Sequence, residues 1–279
     1  MEHGFLVRYP SRDNPNEITE YKETKKLQHA LKEYDDVAEI LNVNTLYKLN
    51  KMKLENRSKE IILASESLHE KKMNNIADEI AKNKDIKVIL IAGPSSSGKT
   101  TFANKLGINL RINGIKPVTL SVDNYFVERE ETPNDEFGNP DFECLEAIDV
   151  DLFNTQLRDL LDYKEVELPT FNFKTGKKEY LGNKLKIQED EILVIEGIHC
   201  LNDKLTSQVE RSQKFKIYIS ALTVLNIDYF NRFSTTDTRI IRRIVRDHAT
   251  RGYSAIKTLS MWYSNAYLCR KARGKFFEK

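Results

Sequence analysis

The stretch Ile91-Ala92-Gly93-Pro94-Ser95-Ser96-Ser97-Gly98-Lys99-Thr100 constrains this chain more than any other. Its spacing, G-x-x-x-x-G-K-[ST], suits a loop whose backbone N–H groups surround phosphate oxygens, with Lys99 reaching the outer phosphates and the Thr100 hydroxyl on Mg²⁺. An ordinary Gly/Ser turn can carry the same letters, so the flanks decide. Lys87 to Ala92 is a short, apolar, β-branched run of the buried-strand kind, and after it Phe102, Leu106 and Leu110 fall at helical spacing between Thr101 and Arg111. Strand, loop and helix come in the required order. Switches, motors, transporters and kinases all use such loops, so the chemistry has to be read elsewhere in the chain.

Downstream, Val118 to Val122, Ile192 to Ile195 and Phe215 to Ile219 are short, β-rich and separated by helical segments. That alternation predicts an α/β fold of the P-loop NTPase kind, a parallel sheet with helices on both faces. Residues 1–82 read differently and predict a small, mainly helical N-terminal region ahead of a phosphate-loop domain over 83–279. A Pro-, Asn- and charge-rich opening gives way to an amphipathic helix with Leu27, Ala30, Leu31, Tyr34, Ala38 and Leu41 on one stripe. A second helix is expected to start near Ser67, where Ser67 and Glu70 match a capping box, and to run through Met73, Ile76, Ala77 and Ile80. Within it, His69-Glu70 suggests the zinc pattern H-E-x-x-H, but Met73 stands at the second histidine position, so a solvated helix face is the better reading.

Composition narrows the partners. Lys and Arg number 44 against 42 Asp and Glu, and a net charge of +2 gives no overall electrostatic reason to bind nucleic acid or a membrane. Any basic site has to be local. Cys144, Cys200 and Cys269 are far apart and form no C-x-x-C pair, which favours free thiols in a reducing compartment, the cytoplasm by default. The first residues lack a basic region followed by an apolar core, and no apolar run approaches eighteen residues, so neither secretion nor a membrane span is expected.

In sheets of this kind ligands bind beyond the carboxyl ends of the strands. Two acids stand there. Asp123 follows the strand ending at Val122, and Glu196 follows the strand ending at Ile195. Either carboxylate suits a place in a Mg²⁺ shell or the removal of a proton from an attacking hydroxyl, since both roles require an oxygen near the γ-phosphate. Farther on, Arg239, Arg242, Arg243 and Arg246 lie at i, i+3, i+4 and i+7, opposite Ile240, Ile241, Ile244 and Val245. On a nearly neutral chain, such a row of guanidinium groups suits transferring phosphates, which it binds bidentately and stabilises in the transition state. A solvated face or a contact to an RNA backbone are the alternatives.

Taken together, the segments GPSSSGKTTFANKL, SVDNYF, IEGIHCLN and RRIVRDHATRG resemble the uridine kinase and phosphoribulokinase group of P-loop kinases, from about Val88 to Trp262. SESLHEKKMNNIADEI and LPTFNFKTGKKEYLG are similar to a bacterial subgroup of nucleoside kinases that carries, upstream, a region like the tRNA-editing domain of threonyl-tRNA synthetase; residues 1–82 resemble the tail of that region. The resemblance implies that Gly93, Pro94, Ser95, Ser96, Ser97, Gly98, Lys99, Thr100 and Thr101 cradle ATP, that Asp123 deprotonates a nucleoside 5′-hydroxyl and lies near the metal, and that Glu196 with Thr100 holds Mg²⁺. The four arginines would form a lid. In Asp141 to Asp149, Glu143 takes the position of the acid that binds the ribose hydroxyls.

Two departures from the family pattern stand out. In the hairpin-like Thr170-Phe171-Asn172-Phe173, Phe171 replaces the tyrosine and Gly176 the histidine that grip a pyrimidine, so pyrimidine specificity does not carry over, although Phe171 and Phe173 remain able to stack on a base. Beyond Trp262 the chain also leaves the family pattern, with Asn265 to Lys271 unlike the expected continuation. It reads as a shortened member with a sheet edge open to pairing with another chain, which allows a homo-oligomer, and with little discrimination between ATP and GTP. The expected activity is ATP- and Mg²⁺-dependent phosphoryl transfer to a nucleoside or related small molecule. The alternative is a catalytically weak nucleotide-binding protein, RNA-associated through its N-terminal region.

Overall fold

The structure, a computed structural model, describes residues 7–10, 14–18, 20, 21 and 23, and from 25 to 262 all except 136, 137, 139, 174, 222–224, 229, 230 and 261. Cys269 and the departure at Asn265 to Lys271 lie outside the described residues. Three helices come first, α1 (Lys25–Ile40), α2 (Leu46–Leu54) and α3 (Ser58–Lys82), followed by β1 (Val88–Ala92), α4 (Lys99–Ile112) and β2 (Lys116–Ser121). Then come α5 (Val150–Leu161), β3 (Val166–Asn172), β4 (Lys177–Leu185), β5 (Glu191–Glu196), β6 (Lys214–Tyr218) and α6 (Thr235–Arg251). None of the helices among the described residues is long and apolar enough to cross a membrane.

Four strands form a sheet in the order β2-β5-β1-β6, and every pairing in it is parallel. All five residues of β1 are buried, as a central strand covered on both faces requires. The two faces divide with the strand's period of two. Val88, Leu90 and Ala92 join Leu193 and Ile195 of β5 and Phe153, Leu157 and Leu160 of α5 in one core. Ile89 and Ile91 join Ile192 and Val194, Phe102, Leu106 and Leu110 of α4, and Met73, Ala77 and Ile80 of α3 in the other. The phosphate-loop core therefore draws on residues upstream of residue 82.

Helix α3 starts nine residues before the expected capping box. Asn56, at φ 59°, ends the preceding helix in a left-handed turn, and the Arg57–Glu60 side-chain pair at 2.9 Å braces the new start. Ser67 thus lies in the middle of a continuous helix, where no N–H groups are left to cap. His69 sits edge-on to Phe102 with ring centroids 6.0 Å apart, and Met73 is fully buried. The stripe of α1 is only half-buried, with Glu33 paired to Lys72 of α3 at 2.8 Å and Tyr34 under the Lys72 ammonium.

Strands β3 and β4 form a separate antiparallel hairpin, irregular between Glu167 and Pro169, where proline cannot donate to the ladder. Helix α2, which periodicity did not single out, is capped by Thr45 and tied to the segment ahead of α6 through Leu46 N–H to Asn226 O at 2.7 Å.

Candidate active site

The carboxyl ends of β1 and β5 and the turn after β2 meet at the carboxyl end of the sheet. Immediately after β1, the loop Gly93–Gly98 turns the chain into α4. A Cβ on Gly93 would stand 2.2 Å from the Ile219 carbonyl oxygen, so only glycine fits where the loop passes β6's exit. Gly98 takes φ 102° as the N-cap of α4, and Lys99 is the helix's first residue. The N–H groups of a 14-residue helix start here with no acid in the first turn. The Ser96 and Ser97 hydroxyls are buried without a hydrogen-bond partner, which fits a loop shaped for phosphate oxygens.

At the second residue of α4, the Thr100 hydroxyl donates to Glu196 Oε1 at 3.3 Å, and Ser121 from the end of β2 donates to the same oxygen at 3.2 Å. Glu196 is buried at the end of β5. The next residue, Gly197, has no Cβ to meet Val122, whose own Cβ lies 2.7 Å from where it would be, and this close approach sets the turn carrying Asp123 beside Glu196. Burial, then the neighbouring Glu196 charge, pushes the Asp123 carboxyl above the ordinary aspartate value, with Lys99 opposing. Among the described residues no cluster of three His, Cys, Asp or Glu side chains forms a closed metal cage. Two acids and one threonine hydroxyl instead suit Mg²⁺, which keeps waters and takes substrate phosphate oxygens as ligands.

Helix α6 lies on the loop with its charged side inward. Arg239 Nε donates to Ser95 O and Arg242 Nε to Ser96 O, each at 3.2 Å. Arg243 and Arg246 turn to Asp247, a fully buried acid on the same helix, at 3.5 and 2.7 Å. Trp262 lies against the Arg239 and Arg243 guanidinium groups, 5.1 and 5.6 Å from its ring centroid. The four arginines therefore form two pairs, one on the phosphate loop and one on an internal counter-ion. Ile241 and Val245 face solvent, 53% and 64% exposed, because the guanidinium side has the polar partners.

The β3–β4 hairpin side is bordered by aromatics. Phe171 is buried against Phe126 with ring centroids 5.5 Å apart, whereas Phe173, at the hairpin tip, is 61% exposed and 5.1 Å from Phe171. The two aromatics expected to stack are thus unequal: Phe171 is core and Phe173 is open. Glu143 is half-buried, its backbone N–H held by Asp141 Oδ1 at 2.9 Å. His199, three residues past Glu196, is buried, bonds the Cys144 backbone through one ring nitrogen and leaves Nε2 without a partner; burial lowers its pKa.

Sequence reasoning passed over Asp247, Trp262 and His199. Only Asp247 had a local signal, standing four residues after Arg243 and one after Arg246.

The family model "Phosphoribulokinase / Uridine kinase family" matches residues 88–266. Uridine kinase of Ureaplasma urealyticum is 27% identical over 177 residues, 63% of this chain and 76% of that protein. Uridine kinase of Ligilactobacillus salivarius is 28% identical over 183 residues, 66% and 76% of the two chains. The solved structure of a possible uridine kinase from Bacillus stearothermophilus covers 61% of this chain and 91% of its own at 24% identity, with a TM-score of 0.46. The matched span takes in well over half of the chain and includes the loop, both strand-end acids and the arginine helix, so this chain belongs to the phosphoribulokinase / uridine kinase family and its chemistry is kinase-type phosphoryl transfer at a P-loop.

Proposed function

We propose that the chain transfers the γ-phosphoryl group of ATP, with Mg²⁺, to a hydroxyl of a nucleoside. The observation that carries this reading is the meeting of Thr100, Glu196 and Asp123 at the mouth of a loop already covered by Arg239 and Arg242. Gly93 to Thr101 would hold the triphosphate, with Lys99 on its outer phosphates. Mg²⁺ held by Thr100 and Glu196 would neutralise charge on the β- and γ-phosphates. Asp123, with its raised proton affinity, accepts the hydroxyl proton as the new O–P bond forms and the bond to the bridging oxygen of ADP breaks. Arg239 and Arg242 would stabilise the transferring group and exclude water. Glu143 and Phe173 are the residues we assign to the acceptor's ribose and base.

Residues 1–82 are proposed as the tail of an editing-type region and 83–279 as the kinase unit, with the cytoplasm as the setting, in keeping with the free thiols Cys144 and Cys200. The test is a nucleoside panel with Mg-ATP, reading ADP and nucleoside monophosphate together. ADP formation that depends on an added nucleoside, and is lost in Lys99→Ala, supports the reading. ADP formation indifferent to every nucleoside overturns it.

A further inference from the structure

The hairpin tip is clamped by a residue no motif singled out. Arg129 lies in the loop that follows Asp123 and Phe126, and its backbone N–H donates to Gly176 O at 2.9 Å. Its guanidinium reaches across the tip, Nη2 donating to Phe173 O at 2.8 Å. Gly176 makes room for this. At φ 75°, a Cβ there would stand 2.8 Å from Arg129 Nε and 2.9 Å from its Cζ. Gly176 is also where the resemblance places the family's base-gripping histidine, so this chain has a guanidinium against the position where an imidazole would begin.

Among the described residues no carboxylate lies within ion-pair distance of Arg129, and Phe173 O is the one acceptor its guanidinium meets. It is exposed, and beside it stands a wall of four aromatic rings. Phe126 holds Phe142 and Phe173 edge-on at 6.1 Å each and Phe171 at 5.5 Å, with Phe142 and Phe173 open to solvent. An aromatic wall binds a flat ring by its face. A guanidinium at its rim has only donors to offer and prefers two acceptors in one plane. Amino groups on a ring edge would meet it donor to donor.

We infer that Arg129 selects the acceptor base, favouring inosine, guanosine and uridine, which carry a carbonyl oxygen at purine C6 or pyrimidine C4, over adenosine and cytidine, which carry an amino group at that position. This rests on the nucleoside kinase reading above. It assigns the base recognition lost with the histidine to a residue from a different segment, one that also fixes the hairpin relative to Asp123.

The experiment compares kcat/KM for inosine against adenosine and for uridine against cytidine, in the wild type, Arg129→Ala, Arg129→Lys and Gly176→Ala. The wild type is expected to favour the carbonyl-edged member of at least one pair by about tenfold or more, the discrimination typical of a bidentate arginine contact. Arg129→Ala should bring that ratio close to one, and Arg129→Lys should recover part of it, keeping the charge without the fork. Gly176→Ala, which crowds the guanidinium without removing it, should shift the ratio in the same direction as Arg129→Ala. A residue that merely clamps the hairpin would lower both members of each pair alike. Equal use of both classes by the wild type, or an unchanged ratio in Arg129→Ala, overturns this inference and leaves the nucleoside kinase reading standing. Transfer to a sugar phosphate, or to no nucleoside at all, overturns both.

Discussion

Replacing Asp247 by asparagine should loosen the arginine helix, and the structure sets the size of the effect. Asp247 is completely buried. Its Oδ1 accepts from Arg246 Nε and Nη2 at 3.0 and 2.7 Å, while Oδ2 lies 3.5 Å from both Arg243 Nε and the Thr258 hydroxyl. Asparagine keeps one acceptor but presents an amide donor on the other side and removes the charge. Arg246, with 35% of its side chain exposed, regains solvation, and its share of the loss is no more than about 1 kcal/mol. Arg243, whose side chain is 6% exposed, becomes a buried cation with no counter-charge from this acid, a change that costs about 3–5 kcal/mol in comparable settings.

That cost falls on the seating of α6 before it falls on the sheet, because local opening relieves it. A penalty of about 3 kcal/mol shifts the balance between seated and open helix by roughly a hundredfold. Hydrogen exchange of residues 235–258 should therefore rise by about that factor while the β1 amides keep their protection. Turnover should fall without a matching change in the ultraviolet circular dichroism of the fold. Unchanged exchange across α6 together with wild-type turnover would show that Asp247 does not hold the arginines in place.

Asp123→Asn should slow transfer by about a hundred- to ten-thousandfold, read by steady-state kinetics. Because burial raises the Asp123 pKa, the charged carboxylate destabilises the fold; this penalty is absent below the ordinary aspartate value and complete above the raised one, so the same variant should gain thermal stability near neutral pH and not in acid, as calorimetry at the two conditions would report. Gly93→Ala drives a methyl group to within 2.2 Å of the Ile219 carbonyl and should abolish Mg-ATP binding measured by titration calorimetry. Arg239→Ala and Arg242→Ala, which remove the two contacts to the loop, should cost up to about a thousandfold in turnover and more than Arg246→Ala; equal losses in all three would contradict the division of the arginines into two pairs.

Contiguous patterns made part of the molecule legible from the amino-acid sequence. A loop that must wrap phosphate needs its glycines, lysine and threonine at fixed spacing between a strand and a helix, and β1, Gly93–Gly98 and α4 follow that order. The ends of β2 and β5 were read within a residue or so, because their hydrophobic runs stop where the acids begin. Tertiary contacts decided the rest. The start of α3 followed from a left-handed Asn56 and an Arg57–Glu60 pair, not from the capping pattern at Ser67, since a capping motif acts only where the chain actually breaks. The row of arginines was visible as spacing, but its division between Ser95, Ser96 and Asp247, and the exposure of Ile241 and Val245, depended on what α6 packs against. Phe171 and Phe173 look alike in the sequence and would share a face of one strand, yet one is core and the other surface, because Phe171 lies inside β3 while Phe173 lies beyond its end at Asn172, in the hairpin tip. A phosphate loop with acids at the strand ends was legible from adjacent residues alone, since those features are encoded in short contiguous runs and backbone turns. Which arginines, aromatics and glycines come to line the candidate site followed from burial and charge pairing, which depend on partners far away in the chain.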